Sequence, residues 1–388
     1  MSAILLIVCV ASFLWWMELA AEWASALKGA AGLAELKVPD SSTAGLSVII
    51  PARNEERTLE QALTSVLSAL PFRGEAILVN DRSTDGTLEI AHKLASSDHR
   101  LKVVDITDLP GGWLGKNHAM WQGYLVSKGG YLLFTDADVI FEQDCLVKAI
   151  SLCEEEGLDH LVSTPTIITR GFWERIFVPI FAILLMSRFR IWRAANPQSR
   201  FYAGIGAFNL VRRTVYELAG THEALKGEAV DDLYLGRLMK STGGLVKVVS
   251  GAGCLRVRWN IGLRGLMEGL EKNAFAAFGY SLIRVVGGCL ILPAATLGPA
   301  LVPFSCILFG GSRILWFAAL AGLGVWCSFA VLYRLASYAT GDSWLYFTTF
   351  PVGVLLMIWT ILRSAVLYHM RGGIKWRGTV YERNANQK

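Results

Sequence analysis

Two kinds of hydrophobic pattern divide the chain. Between residues 46 and 260, short apolar runs alternate with charged stretches as in a globular domain, whereas residues 282–369 are almost free of charge. Another apolar stretch, 3–17, lies near the start. The apolar segments near 285–309, 314–333 and 345–362 are each long enough to cross a bilayer. The pattern predicts a globular domain with one N-terminal and two to three C-terminal transmembrane helices.

The globular part has the pattern of an α/β protein with a mostly parallel sheet. Buried strands are predicted at 46–51, 75–80, 101–105 and 131–135. The first two are followed by helical patterns that run to about Leu70 and Ser97. Strands that alternate with helices form parallel sheets, and such sheets bind ligands at the carboxyl ends of their strands.

The same patterns set the segment boundaries. We predict a membrane anchor at 1–27, a linker at 28–45, the globular domain at 46–260, an amphipathic interfacial helix at 261–281, a transmembrane region at 282–369 and a basic tail at 370–388. Within the domain, 171–193 combines aromatic residues and arginines around an apolar centre too short to span. We predict an interfacial helix there, kinked at Pro179, with a core helix of the domain as the alternative.

Composition narrows the class of protein. The chain has 388 residues, 53% of them hydrophobic, and a formal net charge of +5. That charge is too small to indicate nucleic acid, and its position beside apolar segments suits an anionic membrane surface. None of the seven cysteines forms a Cys-x-x-Cys pair, which argues against zinc or a disulfide framework.

The fourth predicted strand runs directly into two carboxylates. Asp136 and Asp138 are one residue apart at its end. Oxygen ligands suit a hard divalent cation, Mg²⁺ or Mn²⁺, which binds one or two protein carboxylates and completes its shell with water and phosphate. The alternative is a helix cap, because Asp is a favoured cap residue.

Polar side chains also follow the other strands. They are Asn54 and Glu55 after the first strand, Asp81 and Asp85 after the second, and Lys116 and Asn117 after the third. In a parallel sheet these loops share one edge, so the side chains are expected to converge, and the lysine could reach a phosphate. For Asp81, Ser83 and Asp85 a turn or cap role is the alternative. There is no G-x-G-x-x-G and no P-loop motif.

Three motifs together resemble a known family. Pro51-Ala-Arg-Asn-Glu55, Asn80-Asp-Arg-Ser-Thr-Asp85 and Asp136-Ala-Asp138, in this order, are similar to the nucleotide-sugar-binding half of family 2 glycosyltransferases with the GT-A fold. An N-terminal anchor, a catalytic domain and C-terminal spans also resemble the membrane glycosyltransferases associated with hopanoid synthesis and, more distantly, ceramide glucosyltransferase. The resemblance implies a metal-dependent, inverting transfer of a sugar from a nucleotide diphosphate sugar, with a UDP-sugar favoured.

The resemblance also implies roles for individual residues. Asp138 would be the direct metal ligand, assisted by Asp136, and Asp232 would be the general base, with Asp231 where Glu is more usual. The residues implied in donor binding are Pro51, Asn54, Glu55, Asp81, Asp85, Lys116, Asn117 and Asp136. On the pattern alone, Asp231 is a helix N-cap.

The implied acceptor is a single lipid hydroxyl. The Gln-x-x-Arg-Trp signature of processive members does not occur after Asp232, which disfavours a polysaccharide synthase. Glu268, Glu271 and Lys272 are either a solvated helix face or part of an acceptor site. The alternatives are a polyprenyl-phosphate sugar transferase, a non-catalytic nucleotide-sugar-binding scaffold and a transporter, although the apolar segments lack the repeats and polar residues of a transporter.

The expected location is the cytoplasmic (inner) membrane, with several spans and the catalytic domain facing the cytosol. Three C-terminal crossings would then put the tail outside, yet the tail carries Arg371, Lys375, Arg377, Arg383 and Lys388 against Glu382. Such charge normally stays inside. We therefore predict that one segment does not cross, and its prolines make 285–309 the candidate for a re-entrant hairpin.

Overall fold

The computed structural model describes residues 2–29, 32–38, 44–376 and 379–382. The helices are α1 (Ser2–Gly29), α2 (Leu59–Ala69), α3 (Thr87–Ser97), α4 (Gly115–Val126), α5 (Cys145–Glu155), α6 (Phe172–Phe189), α7 (Arg213–Leu218), α8 (Asp231–Ser241), α9 (Gly262–Ala277), α10 (Leu282–Ala295), α11 (Leu297–Phe309), α12 (Arg313–Thr340) and α13 (Phe350–Arg371). The strands are β1 (Leu46–Ala52), β2 (Gly74–Asp81), β3 (Leu101–Ile106), β4 (Tyr131–Phe134), β5 (Val139–Phe141), β6 (His160–Thr164), β7 (Thr166–Ile167), β8 (Asn209–Arg212), β9 (Val246–Ser250), β10 (Leu255–Val257), β11 (Gly373–Trp376) and β12 (Thr379–Glu382).

These elements form two compact units. The α/β unit comprises Ala30–Ile168 and Phe189–Trp259, and the helical unit comprises Met1–Gly29, Thr169–Arg188 and Asn260–Glu382. Part of the predicted linker, and Arg377, Arg383 and Lys388 of the predicted tail, lie outside the described residues.

A seven-stranded mixed sheet forms the centre of the α/β unit. Its order is β3-β2-β1-β4-β8-β6-β9, and β8 is antiparallel to both of its neighbours while the other pairs are parallel. A second sheet has the order β5-β10-β7. Because β1 to β4 are mutually parallel, the loops that follow them leave from one edge, as the sequence predicted.

Helices cover both faces of the large sheet. Val48 and Ile50 of β1 point to one face, where they join a buried cluster with Leu63 of α2. Ile49 points to the other face, into a second cluster with Met120 of α4. Successive side chains of a strand point to opposite faces of the sheet. A strand that is buried on both faces is therefore apolar at nearly every position. The predicted strands agree with β1 to β4 to within one residue at nearly every end.

The helical unit contains the apolar segments. Among the described residues, four helical segments are long and apolar enough to cross a membrane, and they include α1, α10 with α11, α12, and α13. Segment 285–309 consists of α10 and α11, which meet at Thr296. Helix α6 contains Pro179, as predicted, and it groups with this unit although the sequence placed it within 46–260. Its interfacial position stays a prediction.

Candidate active site

Hydrogen bonds join the loops after β1 and β2. The amide of Asn54 donates to Ser83 Oγ at 3.0 Å, and Asn54 Oδ1 accepts from the amide of Thr84 at 2.8 Å. Asn54 itself has a φ of 56°, a left-handed conformation that Asn tolerates better than most residues. The side chain predicted to bind the donor thus braces the two loops against each other.

Asp85 lies one residue before Gly86, the N-cap of α3, and accepts hydrogen bonds at the start of that helix. Its Oδ1 accepts from the amide and the hydroxyl of Thr87 at the start of α3, and its Oδ2 accepts from the amide of Glu56. Burial alone would raise its pKa, but these hydrogen bonds lower it. The structure therefore favours the turn and cap role for Asp85. Nearby, the amide of Glu55 donates to Thr87 Oγ1 at 2.8 Å.

Asp81 ends β2 and is buried among cations. Arg82 Nε lies 2.7 Å from its Oδ1, and Arg53 Nη1 lies 4.0 Å from its Oδ2. Gly115, the first residue of α4, passes so close that a Cβ there would lie 2.2 Å from Asp81 Oδ2. Pro51 lies one strand away, opposite Val79 in the β1–β2 register. Asp81 therefore lies beside the first turn of α4, which carries Lys116.

Asn117 is almost fully buried, and its side chain hydrogen-bonds to the protein backbone. Its side-chain amide donates to the carbonyl oxygens of Leu225 and Glu228, the latter at 2.9 Å. Both acceptors belong to the segment that precedes α8. The sequence predicted donor binding for Asn117, whereas its contacts fix the approach to the helix that carries Asp231 and Asp232.

Lys116 connects two parts of the sequence that the motifs leave far apart. Its Nζ lies 2.7 Å from Asp136 Oδ1, after β4, and 3.3 Å from Asp231 Oδ2, at the start of α8. Burial alone would lower the pKa of Lys116, but Asp136, Asp231 and Asp232 together raise it, so the ammonium stays charged. Val230 occupies the N-cap position of α8, which leaves Asp231 as its first residue.

Asp232 is the second residue of α8 and is held from both sides. Its Oδ1 accepts from the amide of Leu233 and its Oδ2 from the amide of Gly206, each at 2.8 Å. Burial and the charge of Asp231 raise the pKa of Asp232 to about 6, against the opposing effect of Lys116. A carboxylate with such a pKa is ionised near neutral pH and accepts a proton more readily than an ordinary aspartate.

Two glycine contacts position the loop that carries Gly206. A Cβ on Gly204 would lie 1.8 Å from the carbonyl oxygen of Asp232, and a Cβ on Gly236 would lie 1.7 Å from that of Ala203. Backbone therefore packs directly on backbone along one turn of α8. The sequence showed this stretch as rich in Gly, but it gave no reason to connect it with Asp232.

Asp136 and Asp138 fit a cation that is shared with a ligand. The Asp136 side chain is 40% exposed, and both residues offer only oxygen. No group of three His, Cys, Asp or Glu residues within the described part of the chain could hold a metal by itself. Two carboxylates with the remaining positions filled by water and phosphate suit Mg²⁺ or Mn²⁺. These residues could hold a divalent cation that binds together with a diphosphate.

The structure thus brings together Lys116, Asp136, Asp231 and Asp232. It places Asn54, Asp85 and Asn117 in hydrogen bonds that support the surrounding loops, and Asp81 among arginines. Gly206 was missed because its contribution is a backbone amide, for which the sequence carries no signal.

Comparisons with known proteins agree with this geometry. Residues 47–218 match the family Glycosyl transferase family 2. The 4,4'-diaponeurosporenoate glycosyltransferase of Staphylococcus aureus strain USA300 is 29% identical over 238 residues, 60% of this chain and 62% of that protein. The protein of the same name from the bovine strain RF122 / ET3-1 is 28% identical over 254 residues, 63% of this chain and 65% of that protein. The match thus spans less than two thirds of either relative.

A solved structure shares the fold. The mannosyltransferase PcManGT from Pyrobaculum calidifontis, in complex with GDP-Man and Mn²⁺, superimposes with a TM-score of 0.57 at 17% identity and covers 95% of this chain and 99% of that chain. The GT-A prediction is therefore confirmed. The chain thus has the fold of this neighbour and, at residues 47–218, a segment similar to family 2 glycosyltransferases.

Proposed function

We propose that the chain transfers one sugar from a nucleotide diphosphate sugar to a hydroxyl group of a membrane lipid, with inversion. The observation that carries the proposal is the contact of Lys116 with Asp136 and Asp231, which brings the end of β4 and the start of α8 to one place. A transferase needs this arrangement because the leaving diphosphate and the attacking hydroxyl meet at the same carbon.

The donor would bind along the loops at the carboxyl edge of β1, β2 and β4. Glu55 and Asp81 are proposed to contact the nucleoside, and Asp136 and Asp138 the diphosphate through a divalent cation. When bound, that cation would neutralise charge on the departing diphosphate. PcManGT was solved with GDP-Man and Mn²⁺, which supports the same classes of ligand here. Among nucleotides we favour a UDP-sugar.

Asp232 would act as the general base. Its carboxylate takes the proton of the acceptor hydroxyl as the oxygen attacks the anomeric carbon, and the bond from that carbon to the diphosphate breaks. The amides of Gly206 and Leu233 each donate to one oxygen of Asp232, and a carboxylate has further lone pairs with which to accept the proton. Lys116 would add positive charge beside the leaving group. A single displacement inverts the configuration and needs no covalent enzyme intermediate.

The acceptor would be a membrane lipid. The name of the Staphylococcus aureus relatives indicates that they glycosylate 4,4'-diaponeurosporenoate. The described part of this chain has four helical segments that are long and apolar enough to cross a membrane. A hopanoid-like lipid is the acceptor that the resemblance suggests. We propose that the catalytic domain faces the cytosol at the cytoplasmic membrane, where nucleotide sugars are made.

A direct assay tests the proposal. Membranes that contain the full chain are incubated with a panel of nucleotide sugars, Mg²⁺ or Mn²⁺ and a lipid extract, and new glycolipids are identified by mass spectrometry. Membranes with Asp232→Asn serve as the matched control. A glycolipid that requires Asp232 supports the proposal, and a sugar linked through a lipid phosphate would instead indicate a polyprenyl-phosphate transferase. Nucleotide-sugar binding without turnover under any condition would favour a scaffold.

A further inference from the structure

Helix α13 is long and apolar enough to cross a membrane, yet its neighbours argue otherwise. We propose that α13 lies in the plane of one leaflet, paired with α9, and that its apolar stripe contacts lipid acyl chains. The chain would then return after Arg371 to the side of the membrane at which α1 ends. The proposal goes beyond the proposed function and does not depend on it.

The pairing of α13 with α9 is the first observation. Ser364 Oγ donates to the carbonyl oxygen of Glu271 and accepts from the amide of Phe275 at 3.0 Å. Phe275 also packs edge-on against Tyr368, with ring centroids 5.1 Å apart. Arg363 Nη2 lies 3.3 Å from Glu271 Oε2, and Arg371 pairs with the same carboxylate. From the Glu271–Ser364 contact to the Phe275–Tyr368 contact both helices advance by four residues, so the two helices run in the same direction.

The exposed charged side chains of α9 limit how deeply the α9–α13 pair can enter the bilayer. The Arg264 side chain is 91% exposed and pairs with Glu268, four residues on, which is itself half exposed. If α13 crossed the hydrocarbon, its parallel partner would take these side chains in with it. Charged side chains inside a bilayer are costly and normally face protein or a water-filled cavity. An α9 at the interface, with its charged face in water, avoids that cost.

The outer face of α13 is apolar along its whole length. Its exposed large hydrophobic residues recur every three or four positions: Val352, Leu355, Trp359, Leu362, Val366 and Met370. Residues with this spacing lie on one side of a helix. The opposite side, which includes Gly353, Met357 and Ile361, is buried. The pair therefore has one charged face on α9 and one apolar face on α13, as required of a layer at the surface of a bilayer.

Helix α12 serves as the reference for position along the membrane normal within the helical unit. Its apolar stretch is bounded by Arg313 and Arg334, which is about 30 Å of helix. Helix α1 runs parallel to it, because Cys9 clusters with Ala318 and Trp16 packs on Phe329. We call the end at which α1 terminates at Gly29 the near end. The far end is where α12 begins.

Neither end of α13 contacts residues at the far end of the helical unit in the contacts described here. Its first residue, Phe350, stacks on Phe329 at 4.1 Å between ring centroids. Phe329 lies five residues before Arg334, and therefore in the half of the apolar stretch toward the near end. Near its C-terminus, Tyr368 packs on Tyr280, which precedes α10. Helix α11, by contrast, does reach the far end, where Cys306 Sγ contacts the carbonyl oxygen of Leu315. On this proposal the segment that does not cross is α13, whereas the sequence favoured 285–309.

The charges after α13 fit this placement. Arg371 is the last residue of the helix and Lys375 comes four residues later, and basic residues beside a membrane segment normally stay on the cytoplasmic side. A tail on the near side removes the conflict between this rule and three C-terminal crossings. Anionic lipid head groups of the leaflet in which α13 lies would attract the exposed parts of Arg363 and Arg371.

A depth measurement tests the proposal. Leu355, Leu362 and Met370 are replaced one at a time by Cys in a cysteine-free full-length chain, labelled with an environment-sensitive fluorophore and reconstituted in anionic vesicles. Quenching by lipids with shallow or deep nitroxides gives the depth of each label. We expect equal, shallow depths for all three. A gradient along the series, which would cover about 22 Å for fifteen residues of a crossing helix, would overturn the proposal.

Matched labels on α12 test whether that helix crosses the membrane, as the comparison assumes. Leu320→Cys and Val331→Cys replace exposed residues on a helix expected to cross, so their depths should differ. Sidedness gives a second readout. With a membrane-impermeant thiol reagent, Asn386→Cys should react from the same side as Ser343→Cys and from the side opposite to Ser312→Cys. Reaction of Asn386→Cys from the side of Ser312→Cys would overturn the proposal. Neither measurement involves catalysis, so failure here is distinct from failure of the proposed function.

Discussion

The backbone amide of Gly206 donates a hydrogen bond of 2.8 Å to Asp232 Oδ2. The same glycine lies against Asp136, since a Cβ at position 206 would be 2.7 Å from Asp136 Oδ2 and 3.5 Å from Asp232 Oδ2. One residue without a side chain therefore separates the carboxylate proposed to hold the donor from the carboxylate proposed to activate the acceptor.

Gly206→Ala should reduce turnover by at least about tenfold, because the added methyl group must displace one of the two carboxylates. We expect the rate constant to fall more than the melting temperature, measured by glycolipid formation and thermal unfolding of the same preparation. Gly130→Ala is the control, because a Cβ there meets nothing within 4 Å. Equal losses in both variants would contradict the role given to Gly206.

Asp232→Asn should bind nucleotide sugar normally and transfer poorly, because a general base acts on the acceptor. A loss of 10²-fold or more is expected, within the range typical of general-base catalysis. Asp231→Asn should be milder. Equilibrium donor binding and single-turnover transfer separate the two steps, and the reverse ranking would give the role of base to Asp231.

The pH profile is a second readout of the same assignment. With a pKa of about 6, Asp232 is protonated and inactive in acid, so turnover should rise as the pH increases through about 6. Asp231→Asn removes a neighbouring negative charge that raises this pKa, so its acid limb should move to lower pH. An unchanged limb would show that another group limits the rate.

Asn117→Ala should destabilise the domain and not weaken donor binding directly. The buried amide supports the carbonyl oxygens of Leu225 and Glu228, and their loss of a partner should cost about 2–3 kcal/mol. Gln122→Ala, on the same helix but partly exposed, should cost far less. Thermal unfolding and donor affinity of the folded fraction distinguish the outcomes. A weakened affinity with unchanged stability would restore the donor-binding role.

Asp138→Ala should abolish turnover, and a chelator of divalent ions should have the same effect on the wild-type protein. The residue follows β4 outside the strand, so we expect the melting temperature to change little. Restoration of wild-type activity by added Mg²⁺ or Mn²⁺ completes the test. Full activity in excess chelator would exclude the cation.

The strands of the sheet could be predicted from the sequence, but the long-range contacts of the site residues could not. Strands β1 and β2 were predictable because buried parallel strands are continuous apolar runs, and the convergence of their loops follows from topology. The partners of Asn117 are backbone carbonyls more than a hundred positions away, which no local pattern indicates. Asp85 is the opposite case, because a turn or cap role was already the alternative for it and its hydrogen bonds to Thr87 are local.

The surroundings of α6 and α13 could not be predicted from the sequence for a related reason. Apolar composition shows that a helix prefers lipid or protein to water, but it does not show which partner the helix has. Only the contacts of Glu271 with Arg363, and of Gly353 with Ile180, place these helices among their neighbours.

The packing of Gly204 and Gly236 between the 203–206 loop and α8 limits how the enzyme could be redesigned. Carbonyl oxygens occupy the places where Cβ atoms would be, so no substitution at either glycine can be absorbed by a rotamer change. Combinatorial libraries intended to broaden acceptor choice should therefore keep both positions fixed. Diversity is better placed in the exposed parts of the sequence, where variants can fold and be compared for selectivity.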